Sequence, residues 1–476
     1  MHEEAIAKLR QIFSENGAIR VITHLDTDGL TSATILINAL KKFNQSFWLT
    51  TVKQLEDDML DRLLKDAGKQ KWKAIFFLDL GSSKLRKIKE FSNYLPLFVI
   101  DHHELDPLYG LEKADDKGKN ENFFLADTSQ YNNEEMSASC LTYLFVKKLD
   151  KSNKPLSQLA ILGLIGDILD KNIGKNVQTI IEDAKDSGMQ VKRGLTVFSA
   201  MRPIHKALEF SSNIFIPGVT GNTNGAIIML RDLGIDMRNA KGYRTLLDLN
   251  KEELSRLITT ILLRRVNYDN QEIINNIYLI KVSNHIWDAR EISTMINACG
   301  RLNYSSLAIA FLMGSKKARD KIEDVYTKYK HHIIQSLNTV NNIDKIIGEK
   351  YVIINAKKMI KDTMIGTIVS ILTSSFLYKE GTIIVGMAYR KDRKIKISAR
   401  VVRGRKGYNS DNGDNSEGGD IDVNLEHVLR SVISVIGGEV GGHMNAAGCL
   451  ISRKKESEFI ELLKRSMDTE QIRIVA

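Results

Sequence analysis

Four short segments of this chain carry carboxylates and imidazoles where regular structure should end. His24-Leu25-Asp26-Thr27-Asp28-Gly29 follows a β-rich run, and Asp79 closes the apolar run Ala74–Leu78. Asp101-His102-His103 closes Leu95–Ile100, and Asp167 lies in the apolar stretch GLIGDIL. Residues two apart in an extended segment point the same way, so Asp26 and Asp28 would face one site. Gly29 permits the turn into a following helix. Taken singly, each segment has a plain alternative. Asp-x-Asp-Gly is commonly a turn, an Asp after a strand is commonly a helix cap, and adjacent histidines often sit on a surface. Asp167 resists that treatment, because an ionised carboxylate on so apolar a helix is costly unless it is paired or holds a metal. Carboxylates and imidazoles without thiolates suit Mn²⁺ or Mg²⁺ better than structural zinc. Four aspartates with two or three histidines suffice for two ions about 3.5–4 Å apart, which activate a water and steady the charge on a phosphoryl oxygen and its leaving group. The implied chemistry is phosphoester hydrolysis.

These groups need a scaffold that brings distant segments together. Over the first 170 residues, short apolar runs (Ala18–Thr23, Ala74–Leu78, Leu95–Ile100) alternate with helical periodicity at Leu30–Lys42, Leu55–Ala67 and Ser82–Phe91. Continuous apolar strands separated by amphipathic helices predict an α/β fold with a doubly wound parallel sheet. In such sheets the ligand crevice lies at the carboxyl ends of the strands, where three of the four segments fall. From about 151 to 345 the pattern is mostly helical, with Leu156–Leu169 as one apolar helix and Lys251–Val266 and Asp320–Thr339 as charged ones. Pro217–Gly225 reads as a loop. Beyond 351, β-rich runs return (YVIINA, TIIVGMAY, KIKISARVV) around a helix at Ile365–Phe376, and Ser410–Asp420 is a polar loop. The expected organisation is a catalytic α/β domain over 1–195, a helical connecting region over 196–345 and a smaller α/β domain over 346–476.

Composition agrees with such a protein. The chain has 476 residues, 43% hydrophobic and 26% charged, which excludes a disordered or membrane-spanning class. No apolar run approaches the roughly 18–20 residues of a transmembrane helix. The start lacks a signal-peptide pattern, so a cytoplasmic location is expected. Cys140, Cys299 and Cys449 are too few and too scattered for a disulfide framework or a CxxC zinc site. The five prolines all precede Gly218, which leaves the later helices unbroken.

The ordered set HLDTDG, Asp79, DHH (101–103) and GLIGD strongly resembles the DHH phosphoesterase superfamily. Gly437–Gly448 (GGEVGGHMNAAG) resembles the GGHxxAAG signature of the domain that accompanies it. Between them, Ile296–Arg301 is similar to the NAxGR segment, and Ile397–Arg400 to the SxR segment, of RecJ-type nucleases. The stretch DAREISTMINACGR is similar to the archaeal RecJ-like branch, which includes the GINS-associated nuclease. The resemblance implies metal ligation by Asp26, Asp28, Asp79, His102 and Asp167, with Asp79 bridging the ions, and His103 beside the scissile phosphate. It further implies substrate contacts from Asn297, Arg301, Ser398, Arg400 and the Gly441-Gly442-His443 turn. His24 departs from the pattern: several members carry a metal-binding histidine four residues before the first Asp, and His24 is two before Asp26. Read as pattern alone, MINACG is equally an amphipathic helix with a C-capping glycine and a solvated Arg301. GGHMNAAG is equally a tight turn with close backbone packing or an anion nest. The implied activity is a two-metal, Mn²⁺- or Mg²⁺-dependent exonuclease acting on single-stranded DNA or RNA in replication or repair. Cleavage of short oligonucleotides or cyclic dinucleotides is the alternative within the same chemistry. A replication scaffold with a GINS-type partner is the alternative outside it.

The net charge is +10, from 68 basic and 58 acidic residues. Residues 351–406 hold thirteen Lys and Arg against three acids, so their surplus equals that of the whole chain. A solvated surface explains such a run on its own. Its position around Ser398 and Arg400 makes it a candidate strand-binding surface.

Overall fold

The computed structural model describes residues 2–473, except 70–71, 106–120, 198, 212–213, 215, 266–272, 375–376 and 403–423. The polar loop at 410–420 and the basic residues Arg403, Arg405 and Lys406 lie outside the described residues. The chain forms two compact units. One holds residues 1–265 and 270–326, the other essentially 327 onward. Most of the segment expected to connect two domains therefore belongs to the first unit.

The first unit opens with helix α1 (His2–Phe13) and then alternates strand and helix: β1 (Ala18–His24), α2 (Thr27–Lys42), β2 (Phe47–Val52), α3 (Asp57–Lys69), β3 (Trp72–Leu78), α4 (Leu85–Glu90), β4 (Leu97–Ile100) and β5 (Phe123–Ala126). The five strands form one parallel sheet in the order β2-β1-β3-β4-β5. This is the doubly wound α/β architecture expected. Strands β3 and β4 are buried almost throughout because helices cover both faces, which explains their unbroken apolar sequences. The order reverses between β1 and β3, so their carboxyl ends flank the crevice of the topological switch point.

Helices α5 (Ala138–Leu149), α6 (Ser157–Gly166) and α7 (Lys175–Asp186) follow, and α2 packs against both α5 and α6. Helix α6 is shorter than the sequence suggests. It stops at Gly166, Asp167 is its C-cap, and Ile168 takes a left-handed φ of 61°. Asp167 therefore stands at a helix end, not on an apolar face.

Within the region expected to be helical, β6 (Gln190–Leu195), β7 (Ile274–Val282) and β8 (His285–Asp288) build a three-stranded antiparallel sheet. Ile277–Ile280 (IYLI) is β-rich, and it pairs with a strand more than 80 residues away, a partner that local periodicity does not reveal. Helices α8 (Ile204–Glu209), α9 (Thr223–Asp232) and α10 (Lys251–Arg264) surround this sheet's own apolar core. Asp288, buried at the end of β8, caps α11 (Ala289–Arg301) and accepts the amides of Arg290 at 2.9 Å and Ala200 at 2.8 Å. Helix α12 (Ser305–Leu312) follows, and α13 (Lys316–Asn342) begins in the first unit and belongs to the second from residue 327.

The second unit is a six-stranded mixed sheet in the order β9-β10-β11-β12-β14-β13. Its strands are β9 (Ile346–Ile347), β10 (Tyr351–Asn355), β11 (Ile383–Tyr389), β12 (Lys394–Val401), β13 (Glu439–His443) and β14 (Ala446–Ser452). Helix α14 (Asp362–Ser374) packs against β11 and β12, and α15 (Leu425–Ile436) against β13 and β14. Helix α16 (Glu456–Arg473) packs against α15, with Phe459, Leu463 and Met467 in the same core.

Candidate metal centre

Each acid or imidazole of the site is set by a local rule. β1 ends at His24, and Asp26 adopts extended geometry as the N-cap of α2, accepting the Gly29 amide at 3.1 Å. Asp28 is already inside the first turn of α2, so the two acids do not alternate along an extended strand. They meet the site from a cap and from a helix. Asp79 follows β3 with a left-handed φ of 58°, a conformation that non-glycine residues adopt rarely and that turns its side chain off the strand direction. Asp101 follows β4 and is almost wholly buried.

The result is one cluster. His24 Nδ1 lies 2.8 Å from Asp26 and 3.4 Å from Asp79. His102 Nε2 lies 3.1 Å from Asp167, 3.5 Å from Asp79 and 4.0 Å from Asp28. His103 Nδ1 lies 2.7 Å from Asp101 and 3.8 Å from Asp79. Among the described residues three ligand sets result: His24, Asp26 and Asp79; Asp28, Asp79, His102 and Asp167; and Asp79, His102 and His103. Asp79 is common to all three. His24 joins the site despite its shortened spacing, because β1 runs on to that residue.

The electrostatics are those of crowded, buried carboxylates. Burial pushes the Asp28 carboxyl well up, and the adjacent Asp79 and Asp167 add to the effect. Burial likewise raises Asp167, to about 6, against the opposing pull of His102. Burial alone would lower His102, but the neighbouring Asp167, Asp79 and Asp28 carry it to about 12. His103 rises to about 9, because Asp101 outweighs its burial. Burial would raise Asp26 and Asp101, yet Asp26 is held low by His24 and Asp101 by His103.

The donor set fits divalent cations. Both carboxylate oxygens of Asp79 and Nε2 of His102 are buried, and they meet the rest of the cluster through ion-pair contacts rather than well-formed hydrogen bonds. Leaving such groups unsatisfied costs about 1–3 kcal/mol each, and more when they are charged. A cation bound among these oxygen and nitrogen donors satisfies all three atoms at once.

Several supporting residues were not singled out by sequence. The amides of Ala138 and Ser139, at the N-terminus of α5, donate to the two oxygens of Asp28 at 2.7 and 3.0 Å. Asp101 accepts the Ser82 amide at 2.9 Å while holding His103, so the first letter of DHH positions the third. The glycines of GLIGD also have a physical role. A Cβ on Gly163 would overlap Ser139 and Asp28, and one on Gly166 would come within 2.7 Å of Thr27. Sequence carried signals for Asp101 and these glycines, all of which lie in the motifs. It carried none for the α5 amides, because a backbone donor has no residue signature.

The remaining expected residues divide between the units. Asn297 and Arg301 lie on α11 in the first unit, and Arg301, its last residue, is half-buried. Ser398 and Arg400 share one face of β12, whose alternate residues Ile395, Ile397 and Ala399 enter the core. In register, Ser398 sits in a row with Gly386, Gly448 and Gly441, and Arg400 in a row with Ala446 and His443. Lys394 and Lys396 continue the basic side of β12, and Lys394 lies 3.5 Å from Glu439. Gly441 and Gly442 belong to β13 of a hairpin, so GGHMNAAG is a strand-turn-strand unit.

Residues 18–166 match the DHH family, N-terminal domain, and residues 199–277 match the DHH-CID domain. The chain thus carries two stretches that match DHH domains. It is 27% identical over 457 residues to an uncharacterized protein of Methanocaldococcus jannaschii, covering 95% of this chain and 93% of that one. Its fold is similar to that of CDC45 from Entamoeba histolytica, with a TM-score of 0.64, 12% identity and 98% of each chain covered. It is also similar to an exonuclease RecJ bound to manganese, with a TM-score of 0.55, 13% identity, and 97% of this chain and 93% of that one covered. Among the described residues no helix is long and apolar enough to cross a membrane.

Proposed function

We propose that this chain is a two-metal phosphodiesterase that degrades single-stranded DNA or RNA from an end, in replication or repair. The observation that carries this reading is Asp79: buried, with a histidine near each oxygen but no well-formed hydrogen bond to either, and shared by three ligand sets. In this reading Asp26, Asp28, Asp79, His102 and Asp167, with His24 alongside, would hold two Mn²⁺ or Mg²⁺ ions, with Asp79 the ligand common to the sets. The ions would supply an activated water and charge stabilisation at the phosphoryl oxygens. His103, whose Nδ1 is engaged by Asp101, keeps Nε2 for an oxygen of the scissile phosphate or its leaving group. Arg301 in the first unit, and Ser398, Arg400 and the Gly441-Gly442-His443 segment in the second, are the candidate contacts to backbone phosphates. Phosphate contacts of this kind hold a strand without reading its sequence. Likeness to the manganese-bound exonuclease supports the assignment.

A second reading is favoured by one observation, the larger TM-score with CDC45. It makes the chain a replication scaffold, with a GINS-type complex as its partner. The full set of buried acids and imidazoles weighs against a purely structural role, since crowding so many ionisable groups around Asp79 is costly without a cation. The deciding experiment is Mn²⁺-dependent degradation of a single strand by Asp79→Ala and Asp167→Ala variants. Both should be folded and inactive, and full activity in either one sinks the metal assignment. Comparing a dinucleotide with a long strand distinguishes the polymer substrate from short oligonucleotides. Co-migration with a GINS complex on size separation tests the partner.

A further inference from the structure

We infer that Asn297 is a positioning residue for the metal ligands, acting through the backbone of Thr27, rather than a substrate contact. This deepens the metal reading above and rests on it. Thr27 stands between Asp26 and Asp28, and it is wholly buried. Its amide is the first of helix α2, one of the donors that a helix leaves without an internal partner. The Asp26 side chain cannot serve it, because that carboxylate caps Gly29 and faces His24. Asn297 does so instead: its Oδ1 accepts the Thr27 amide at 2.9 Å from helix α11.

Three further features fix the same contact. The Thr27 hydroxyl donates to the Ser293 carbonyl at 2.8 Å, one turn before Asn297 on α11. A Cβ on Gly300, one turn after it, would overlap the carbonyl oxygen of Leu25, so only glycine lets α11 approach the segment before Asp26. Arg290, at the start of the helix, pairs with Asp170, three residues beyond Asp167. One helix thus grips residues 25–27 along its length and is tied to the turn that carries Asp167. The asparagine and glycine of NAxGR are explained by the geometry of Asp26 and Asp28.

The inference separates two quantities that a substrate role would couple differently. Residues that orient metal ligands from behind typically cost about 10–100-fold in metal affinity when lost. Titration of the full-length protein with Mn²⁺, followed by calorimetry without nucleic acid, should show Asn297→Leu binding at least about tenfold more weakly than wild type. Single-strand binding measured in EDTA should stay unchanged. Asn297→Asp, which keeps the acceptor oxygen, should retain Mn²⁺ binding. Thr27→Val removes only the hydroxyl bond to Ser293 and should weaken Mn²⁺ by a smaller factor, giving a second route if Asn297→Leu does not fold. Wild-type Mn²⁺ affinity in Asn297→Leu or Thr27→Val, or weakened strand binding in EDTA with Mn²⁺ affinity intact, overturns the inference and leaves the metal site standing. A wild-type protein that binds no Mn²⁺ overturns the metal reading beneath it as well.

Discussion

Gly163 offers a direct perturbation of the centre from a position that touches no substrate. It sits on α6 where the helix meets α2, and an added Cβ would overlap Asp28 and Ser139 and stand 2.5 Å from the Thr31 hydroxyl. Ordinary contact begins near 3.4 Å, so Gly163→Ala requires the helices to part by roughly 1 Å in a close-packed interior. Overpacking of this kind costs about 1–3 kcal/mol, while alanine in a helix returns about 1 kcal/mol of propensity. The net loss should be at most about 2 kcal/mol, seen as a fall of up to a few degrees in Tm by circular dichroism. The larger effect should be on activity. Asp28 is held by amides at 2.7 and 3.0 Å, and a shift of about 1 Å in a reacting group can cost 10²-fold. Degradation of a labelled single strand with Mn²⁺ should fall by about that factor. Gly366→Ala, on α14, meets only an ordinary contact, the Ser398 hydroxyl at 3.5 Å, and serves as the control, with no loss of Tm or of Mn²⁺ affinity. Equal behaviour of the two variants would refute the claim that α6 sets Asp28 through close backbone approach.

Other expectations are independent of that one. Asp101→Asn should lower strand degradation about 10–100-fold while leaving Mn²⁺ affinity nearly unchanged, because Asp101 orients His103. Kinetics paired with Mn²⁺ titration would show this split. Replacing Lys396 and Arg400 together by glutamine should weaken single-strand binding. If both meet phosphates, it should also reduce the slope of log affinity against log salt by about 1.4. Binding isotherms across a salt series measure this, and an unchanged slope returns β12 to the solvated-surface explanation.

Much of this molecule was legible in its sequence, and the reason is periodicity. Buried parallel strands such as Ala74–Leu78 and Leu97–Ile100 announce themselves as unbroken apolar runs, and the acids that follow them mark the crevice. The acids and imidazoles of the four N-terminal segments come together in one cluster. What stayed hidden depended on distant partners. Strands β6 and β7 pair across more than 80 residues, and the polar and exposed positions in both blur any strand pattern. The end of α6 at Gly166 was masked by the apolar residues on either side, since hydrophobicity does not register a left-handed Ile168. Asp26 and Asp28 share a site through a cap and a helix turn, a geometry that residue spacing alone does not distinguish from an extended pair.

The most direct test is digestion of a single strand labelled at either end, in Mn²⁺, in Mg²⁺ and in EDTA. The expected result is stepwise shortening from one end with a divalent ion and none in EDTA, with Asp79→Ala inactive and folded. Intact strands under every condition, from a protein that still binds a GINS-type complex, would contradict the enzymatic account and leave the scaffold in its place.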